Sequence, residues 1–112
     1  MTAKVYTIDE IKDIVTPIAI RHRVTKMYLF GSYARGEADA KSDIDIRIDA
    51  ANLRTLFALG GLYADLEEAL NKSLDLVTTE SLRANINDPL TRKLIRNIKK
   101  DERLIYEELT TS

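Results

Sequence analysis

The chain has 112 residues, 45% of them hydrophobic, and its 17 basic and 18 acidic side chains leave a formal charge of -1. This length predicts one small core, and the near-neutral charge gives no global attraction to nucleic acid, so we expect no nucleic-acid partner. The absence of cysteine excludes disulfides and thiolate metal sites. No apolar run approaches the roughly 18 residues of a membrane span, and the start lacks a signal-peptide pattern, so we expect a cytoplasmic protein.

Helical and extended patterns alternate along the first third of the chain. Thr7 and Glu10 have the spacing of a capping box, and apolar residues follow at helical intervals, which predicts a helix over residues 8–21. Pro17 lies inside this stripe and removes a backbone donor, so we expect the helix to kink or restart there. The apolar run at residues 26–30 is typical of a buried strand, and it leads into a glycine-serine turn.

Two closely spaced aspartates follow this turn. Residues 43–49 alternate in polarity, so Asp43 and Asp45 are predicted to project from one face of a second strand, with the intervening isoleucines on the other face. Two neighbouring carboxylates favour a hard cation, and magnesium usually binds one or two carboxylates together with the phosphates of a substrate. The pattern therefore indicates a site for a nucleoside triphosphate on magnesium.

The loop between the two strands has features that suit phosphate. Gly31 has no side chain to obstruct a close approach of the backbone to a ligand. Ala34 and Arg35 are expected to start a short helix, whose amide groups and positive dipole end favour an anion at its N-terminus.

A leucine-rich amphipathic helix is predicted next. Asn52 is its expected cap, and apolar residues follow at steps of three and four. Gly60 and Gly61 interrupt this helix at a cost of about 1 kcal/mol each, from which we expect close packing against the sheet.

The last third of the chain predicts two more strands and a helix. Residues 73–78 alternate again and carry Asp75. Asp88 followed by proline is typical of a helix start, and residues 103–107 form a possible last strand.

At this point the motif resembles a known family. Gly31 and Ser32, followed after a short variable stretch by Ser42, Asp43 and Asp45, form the signature of the DNA polymerase beta-like nucleotidyltransferase superfamily. The short chain resembles the minimal nucleotidyltransferase group, whose members consist of the catalytic core alone. The resemblance implies an α/β (α+β) nucleotidyltransferase fold with a small mixed sheet of three to four strands flanked by helices. We expect a single domain over residues 1–112, with its core at residues 8–107.

The resemblance also implies the roles of individual residues. Asp43 and Asp45 match the first two of the three carboxylates that the superfamily uses to bind two magnesium ions and catalyse transfer. Asp75 is assigned as the third because it lies in a downstream strand with the expected parity.

The remaining motif residues are expected to bind the nucleotide, with ATP as the substrate. Gly31 admits the phosphates, Ser32 donates a hydrogen bond to them, and Ser42 belongs to the same motif. Arg35 neutralises phosphate charge, with a role as a helix-surface charge as the alternative.

The minimal group often acts as the antitoxin beside a helical HEPN-domain toxin, so a hetero-oligomer with such a toxin is expected. The resemblance implies transfer of AMP from ATP to a tyrosine of that toxin. Two alternatives remain open: a non-catalytic antitoxin that acts by complex formation, and a nucleotidyltransferase for small molecules or polynucleotides. The last of these usually carries an additional acceptor domain.

Further charged residues have structural interpretations. Arg47 shares the carboxylate face, where we expect a structural ion pair or an acceptor-side contact, with pairing to Asp75 as the alternative. His22, the only histidine, is too isolated for a ligand set. A basic C-terminal segment is interpreted as a solvated helix face rather than a docking surface for an acidic partner or RNA.

Overall fold

The computed structural model describes residues 4–53 and 55–109, and within them the chain forms a mixed sheet with helices on both faces. The sheet has the order β3-β2-β1-β4, in which β1 is antiparallel to β2 and β4, and β2 is parallel to β3. The predicted α/β architecture with a small mixed sheet is therefore confirmed. In chain order the elements are α1 (Ile8–Arg21), β1 (Lys26–Phe30), α2 (Gly31–Arg35), β2 (Ile44–Asp49), α3 (Leu56–Leu70), β3 (Leu74–Thr78), α4 (Thr79–Ala84), α5 (Pro89–Asp101) and β4 (Arg103–Glu107).

The core lies on one face of this sheet. Side chains alternate along β2, so its three isoleucines are fully buried while the aspartates and arginine between them project from the other face. Helices α1 and α3 contact each other and cover the buried face with a common apolar cluster. The opposite face, which carries the carboxylates, is contacted by the short helix α4 and joined to the end of α5 through Arg47.

The first helix follows its sequence signals closely. The side chain of Thr7 accepts the Glu10 amide at 3.0 Å, and Glu10 accepts the Thr7 amide at 2.9 Å, which confirms the capping box. The helix does not restart at Pro17, because a single helix continues through this exposed position to Arg21, whereas the kink stays a prediction.

Two expectations for α3 are wrong. Its N-cap is Thr55, whose hydroxyl accepts the Ala58 amide at 3.0 Å, whereas the Asn52 amide donates to the Arg23 carbonyl at 3.1 Å. Gly60 and Gly61 are both exposed and do not pack against the sheet: a Cβ at Gly60 would meet nothing within 4 Å. The apolar stripe nevertheless buries its later residues, Leu62, Leu66 and Leu70.

The predicted element boundaries near the motif need small corrections. The short helix α2 begins at Gly31, so Ala34 and Arg35 lie at its end rather than its start. Strand β2 begins at Ile44, which leaves Asp43 immediately before it. The cap of α5 at Asp88 is confirmed, whereas the six-residue helix α4 was not predicted. Among the described residues, none of the helices has the length and apolarity needed to span a bilayer.

Candidate active site

Two strands bring the expected carboxylates to one face of the sheet. Asp45 on β2 lies directly opposite Asp75 on β3 in the parallel pair, so both side chains project from the same face. Asp43 precedes β2 and has the same parity as Asp45. Asp45 is half-buried, whereas Asp43 and Asp75 are exposed, so the group is open to solvent on its outer side.

The three carboxylates share one electrostatic environment. Burial, followed by the negative charges of Asp75 and Asp43, raises the pKa of Asp45 to about 6, and the cationic Arg35 opposes this shift. The site therefore disfavours negative charge on Asp45. A bound cation would remove this penalty, which is the electrostatic property expected of a cation site.

The glycine-serine turn lies directly against Asp45. Gly31 has a φ of +73°, and a Cβ at this position would collide with Oδ2 of Asp45 and lie 3.1 Å from its Cγ. Only glycine fits here, because the left-handed backbone and the absent side chain are both required. The turn and the first carboxylate strand therefore meet without an intervening side chain.

The other predicted nucleotide ligands lie around this turn. Ser32 is half-buried in α2, and its carbonyl accepts the Glu37 amide at 2.9 Å. The hydroxyl of Ser42 accepts the Asp39 amide at 2.9 Å and donates to its carboxylate at 3.2 Å, so it shapes the turn that enters β2. Ser32 thus follows the glycine that lies against Asp45, and Ser42 has a role in the loop's conformation.

Arg35 is held by two carboxylates at the end of α2. Its Nε donates to Glu37 at 3.0 Å, and its Nη1 donates to Asp101 on α5 at 2.9 Å. These bonds join the glycine-serine turn to α5.

Arg47 has structural partners. Its Nη2 donates to Glu102 at 2.9 Å, its Nη1 donates to Thr79 at 2.7 Å, and its guanidinium lies 4.0 Å from the centroid of the Tyr28 ring. Among the described residues, no hydrogen bond or salt bridge joins Arg47 to Asp75. The expected structural ion pair is therefore confirmed, and no guanidinium of the described residues holds the carboxylate of Asp75.

A cavity of about 420 Å³ lies beside the turn, and the sequence did not reveal the part of its wall that α5 supplies. The spacing of α5 contained a signal, because Leu94, Asn97 and Asp101 follow one another at steps of three and four and therefore share one face of the helix. The residues that line the cavity are Phe30, Gly31, Arg35, Leu94, Asn97, Lys100 and Asp101.

The donor set suits magnesium as a partner of a phosphate substrate. Across residues 4–53 and 55–109, no group of three or more acidic, histidine or cysteine side chains is close enough to hold a metal ion by itself. Asp45 and Asp75, in direct register, nevertheless supply the one or two carboxylates that magnesium takes when phosphates complete its shell. Hard oxygen donors without histidine or thiolate fit this ion, and the three-carboxylate set stays a prediction.

The fold and the site together define a nucleotidyltransferase: a mixed sheet that places paired carboxylates against a glycine-serine turn. The family described as "Polymerase beta, Nucleotidyltransferase" matches residues 12–110, and the chain belongs to this family. The family predicted from the motif is thereby confirmed.

Individual proteins of known sequence or structure are also similar to this chain. A Methanocaldococcus jannaschii protein is 36% identical over 88 residues, covering 79% of this chain and 95% of the relative. Protein adenylyltransferase MntA of Thermococcus cleftensis is 34% identical over 93 residues, covering 80% of this chain and 94% of the relative. A chain from a crystal structure of a toxin-antitoxin with AMP-PNP is 25% identical with a TM-score of 0.65, covering 87% of this chain and 73% of that chain.

Proposed function

We propose that this protein is a magnesium-dependent adenylyltransferase that transfers AMP from ATP to a tyrosine of a HEPN toxin in the cytoplasm and thereby acts as its antitoxin. The observation that carries the proposal is the register of Asp45 and Asp75 beside the Gly31 turn. It combines carboxylates for a divalent cation with a backbone position that phosphates can approach.

The nucleotide side of the site is formed by the turn and the first two carboxylates. Gly31 and Ser32 would contact the β- and γ-phosphates through backbone amides and the serine hydroxyl. Asp43 and Asp45 would hold magnesium, which supplies positive charge to the attacking and leaving oxygens when bound. In the reaction a bond forms between the tyrosine oxygen and the α-phosphorus, the bond from that phosphorus to the bridging oxygen breaks, and pyrophosphate leaves.

The acceptor side is formed by β3. This strand is at the edge of the sheet and Asp75 is exposed, so a protein side chain can reach the carboxylate from outside. Asp75 would hold the magnesium ion nearer the attacking hydroxyl and accept its proton as the new bond forms. An open edge suits a large acceptor, because a protein loop does not need to enter a closed cavity.

The relatives support the choice of nucleotide and partner. The Thermococcus cleftensis relative is named a protein adenylyltransferase, and the toxin-antitoxin structure contains AMP-PNP, an ATP analogue. This chain, which is similar to both, is therefore proposed to use ATP, to modify a protein and to assemble with a toxin.

Label transfer tests this function. Wild-type protein with α-labelled ATP, magnesium and the cognate HEPN toxin is expected to label the toxin, whereas Asp43→Asn with Asp45→Asn should lower transfer by about a hundredfold or more. The matched control replaces the exposed Asp9 and Asp13 of α1 with asparagine, which changes the net charge equally but leaves the site intact. Equal labelling by both double variants would contradict the proposal.

The same variants separate the alternatives. A non-catalytic antitoxin would still neutralise the toxin in a growth assay after Asp43→Asn with Asp45→Asn, because its binding surface lies elsewhere. A small-molecule or polynucleotide enzyme would consume ATP with such acceptors in the absence of the toxin. Removal of the acceptor tyrosine from the toxin should abolish labelling if the proposed acceptor is right.

A further inference from the structure

One face of α5 lies along the glycine-serine turn and lines a cavity together with Gly31. Building on the proposed function, we infer that Lys100 and Asn97 bind the terminal phosphates of the nucleotide. They form the second wall of a cleft whose first wall is Gly31. The known motif accounts for the turn and the carboxylates, whereas this wall comes from a helix in the last quarter of the chain.

The cavity between α2 and α5 provides the geometry. Its volume of about 420 Å³ lies within the range of small-ligand clefts, roughly 300 to 1,000 Å³. Gly31 lines it from the turn, whereas Asn97 and Lys100 line it from α5, three residues apart and therefore on one face of the helix. A phosphate chain that reaches the turn can thus also reach both side chains.

The position of α5 relative to the turn is fixed by an ion pair. Arg35, the last residue of α2, donates to Asp101, the last residue of α5, at 2.9 Å, and the Asp101 side chain is only 14% exposed. This pair joins the two walls at one end of the cavity. The second wall is therefore held in place before a nucleotide arrives, which limits the ordering cost of binding.

The charges in the cavity identify Lys100 as the main attraction for an anion. Its lining contains three charged residues: Arg35, Lys100 and Asp101. Arg35 is already paired with Asp101 and Glu37. Within the part of the chain that the structure describes, Lys100 forms no salt bridge. Its ammonium group is left to attract a phosphate as a point charge, and the Asn97 amide can donate a hydrogen bond.

The neighbouring residue of the same helix provides a matched control. Lys99 has the same charge and differs by one position, but it lines a different cavity together with Arg47 and Ile98. A general electrostatic effect of the basic helix would make the two lysines equivalent. If the phosphate site lies beside Gly31, only Lys100 should contribute to phosphate binding.

Calorimetric titration with magnesium and AMP-PNP, and separately with AMP, tests the inference. Lys100→Ala is expected to weaken AMP-PNP binding about tenfold or more, since a charge-assisted hydrogen bond is lost, whereas Lys99→Ala should leave it nearly unchanged. AMP lacks the terminal phosphates, so its affinity should be the same in all variants. Asn97→Ala should weaken AMP-PNP binding less than Lys100→Ala does, again without a change in the affinity for AMP. Lys100→Arg should retain most of the affinity for AMP-PNP.

Several outcomes would overturn the inference. They are equal effects of Lys99→Ala and Lys100→Ala on AMP-PNP, an equal loss of AMP and AMP-PNP in Lys100→Ala, and no effect of either Lys100→Ala or Asn97→Ala. Thermal melting of each variant identifies a loss that arises from unfolding. If Lys100→Ala does not fold, Asn97→Ala still tests the cleft through the same comparison of AMP-PNP with AMP. A wild-type protein that binds AMP-PNP but labels no toxin would contradict the proposed function alone, whereas one that binds no AMP-PNP would contradict both.

Discussion

Gly31 and Asp45 are in contact where β1 ends, because the residue before the glycine is the register partner of the aspartate in the antiparallel β1–β2 pair. A Cβ on Gly31 would overlap the carboxylate oxygen of Asp45. The turn that would bind phosphates and the strand that would bind magnesium therefore pack directly against each other. A side chain added at Gly31 must therefore displace Asp45.

Replacing Gly31 with alanine tests this contact. The φ of +73° disfavours an alanine, and the new methyl group would also push Asp45 away, so both folding and transfer should suffer. Gly36→Ala is the matched control, since Gly36 has a φ of +74° with nothing within 4 Å of its Cβ. Urea denaturation should show about 1 kcal/mol of destabilisation for Gly36→Ala and about 2 kcal/mol more for Gly31→Ala. Transfer activity should fall more than about tenfold for Gly31→Ala alone. Equal losses of stability and activity in the two variants would show that the overlap of the added methyl group with Asp45 has no cost.

Asp45→Asn should stabilise the fold at neutral pH. The carboxyl has a pKa of about 6 in the folded protein against an ordinary value of 3.8, so the folded state binds its proton more tightly than the unfolded chain. That stabilising contribution is complete below pH 3.8 and is lost as the pH rises through 6. Asparagine resembles the neutral acid and does not titrate. The half-exposed position weakens the effect, so the variant should gain about 1 kcal/mol over wild type between low and neutral pH.

Urea denaturation of wild type and Asp45→Asn in parallel, at pH 4 and pH 8, measures this gain. Titrating groups that do not interact with Asp45 affect both proteins equally and cancel in the difference. A difference in unfolding free energy that stays constant over this range would contradict the raised pKa. The same variant should lose transfer activity, so stability and activity would change in opposite directions, as is common at functional sites.

The cluster around Arg47 should contribute more to stability than an exposed ion pair. The Arg47 side chain is 15% exposed and that of Glu102 is 25% exposed, and their bond joins β2 to the end of α5. Arg47→Met keeps the apolar stem but leaves the carboxylate without its partner, which should cost about 3 kcal/mol in unfolding free energy. Lys26→Met breaks the exposed 3.5 Å pair with Glu107 and should cost less than about 1 kcal/mol. Similar costs for the two variants would place Arg47 among ordinary surface charges.

Local sequence signals predicted the elements that depend on short-range bonds. Thr7 with Glu10, and Asp88 with the proline after it, each identified the first turn of a helix because their capping partners lie within three residues. The alternation of β2 likewise predicted which of its residues face the core, since the side-chain period of a strand is fixed. These features need no knowledge of the rest of the fold.

Features that depend on distant partners were mispredicted or missed. Asn52 has the chemistry of a cap, but the carbonyl of Arg23 takes its amide, and Thr55 caps α3 instead. The helix α4 is six residues long, which is too short for its periodicity to be recognised. The proposed roles of Asn97 and Lys100 depend on which side of a largely basic helix lies against the turn, and tertiary packing decides that.

Asp75→Asn tests the assignment of Asp75 as the third catalytic carboxylate, which depends on its strand and not on the glycine-serine motif. Its register with Asp45 places it on the face that carries Asp45, and its edge strand is the proposed acceptor side, so it should act in the chemical step rather than in nucleotide binding. Transfer to the toxin should fall by about a hundredfold or more, whereas the affinity for AMP-PNP should change by less than about threefold. Glu68→Gln, which removes an equal charge from an exposed position on α3, is the control and should retain wild-type transfer. If Asp75→Asn instead weakens AMP-PNP binding and transfer in equal proportion, the carboxylate belongs to the nucleotide side, and the third position of the catalytic set must lie elsewhere.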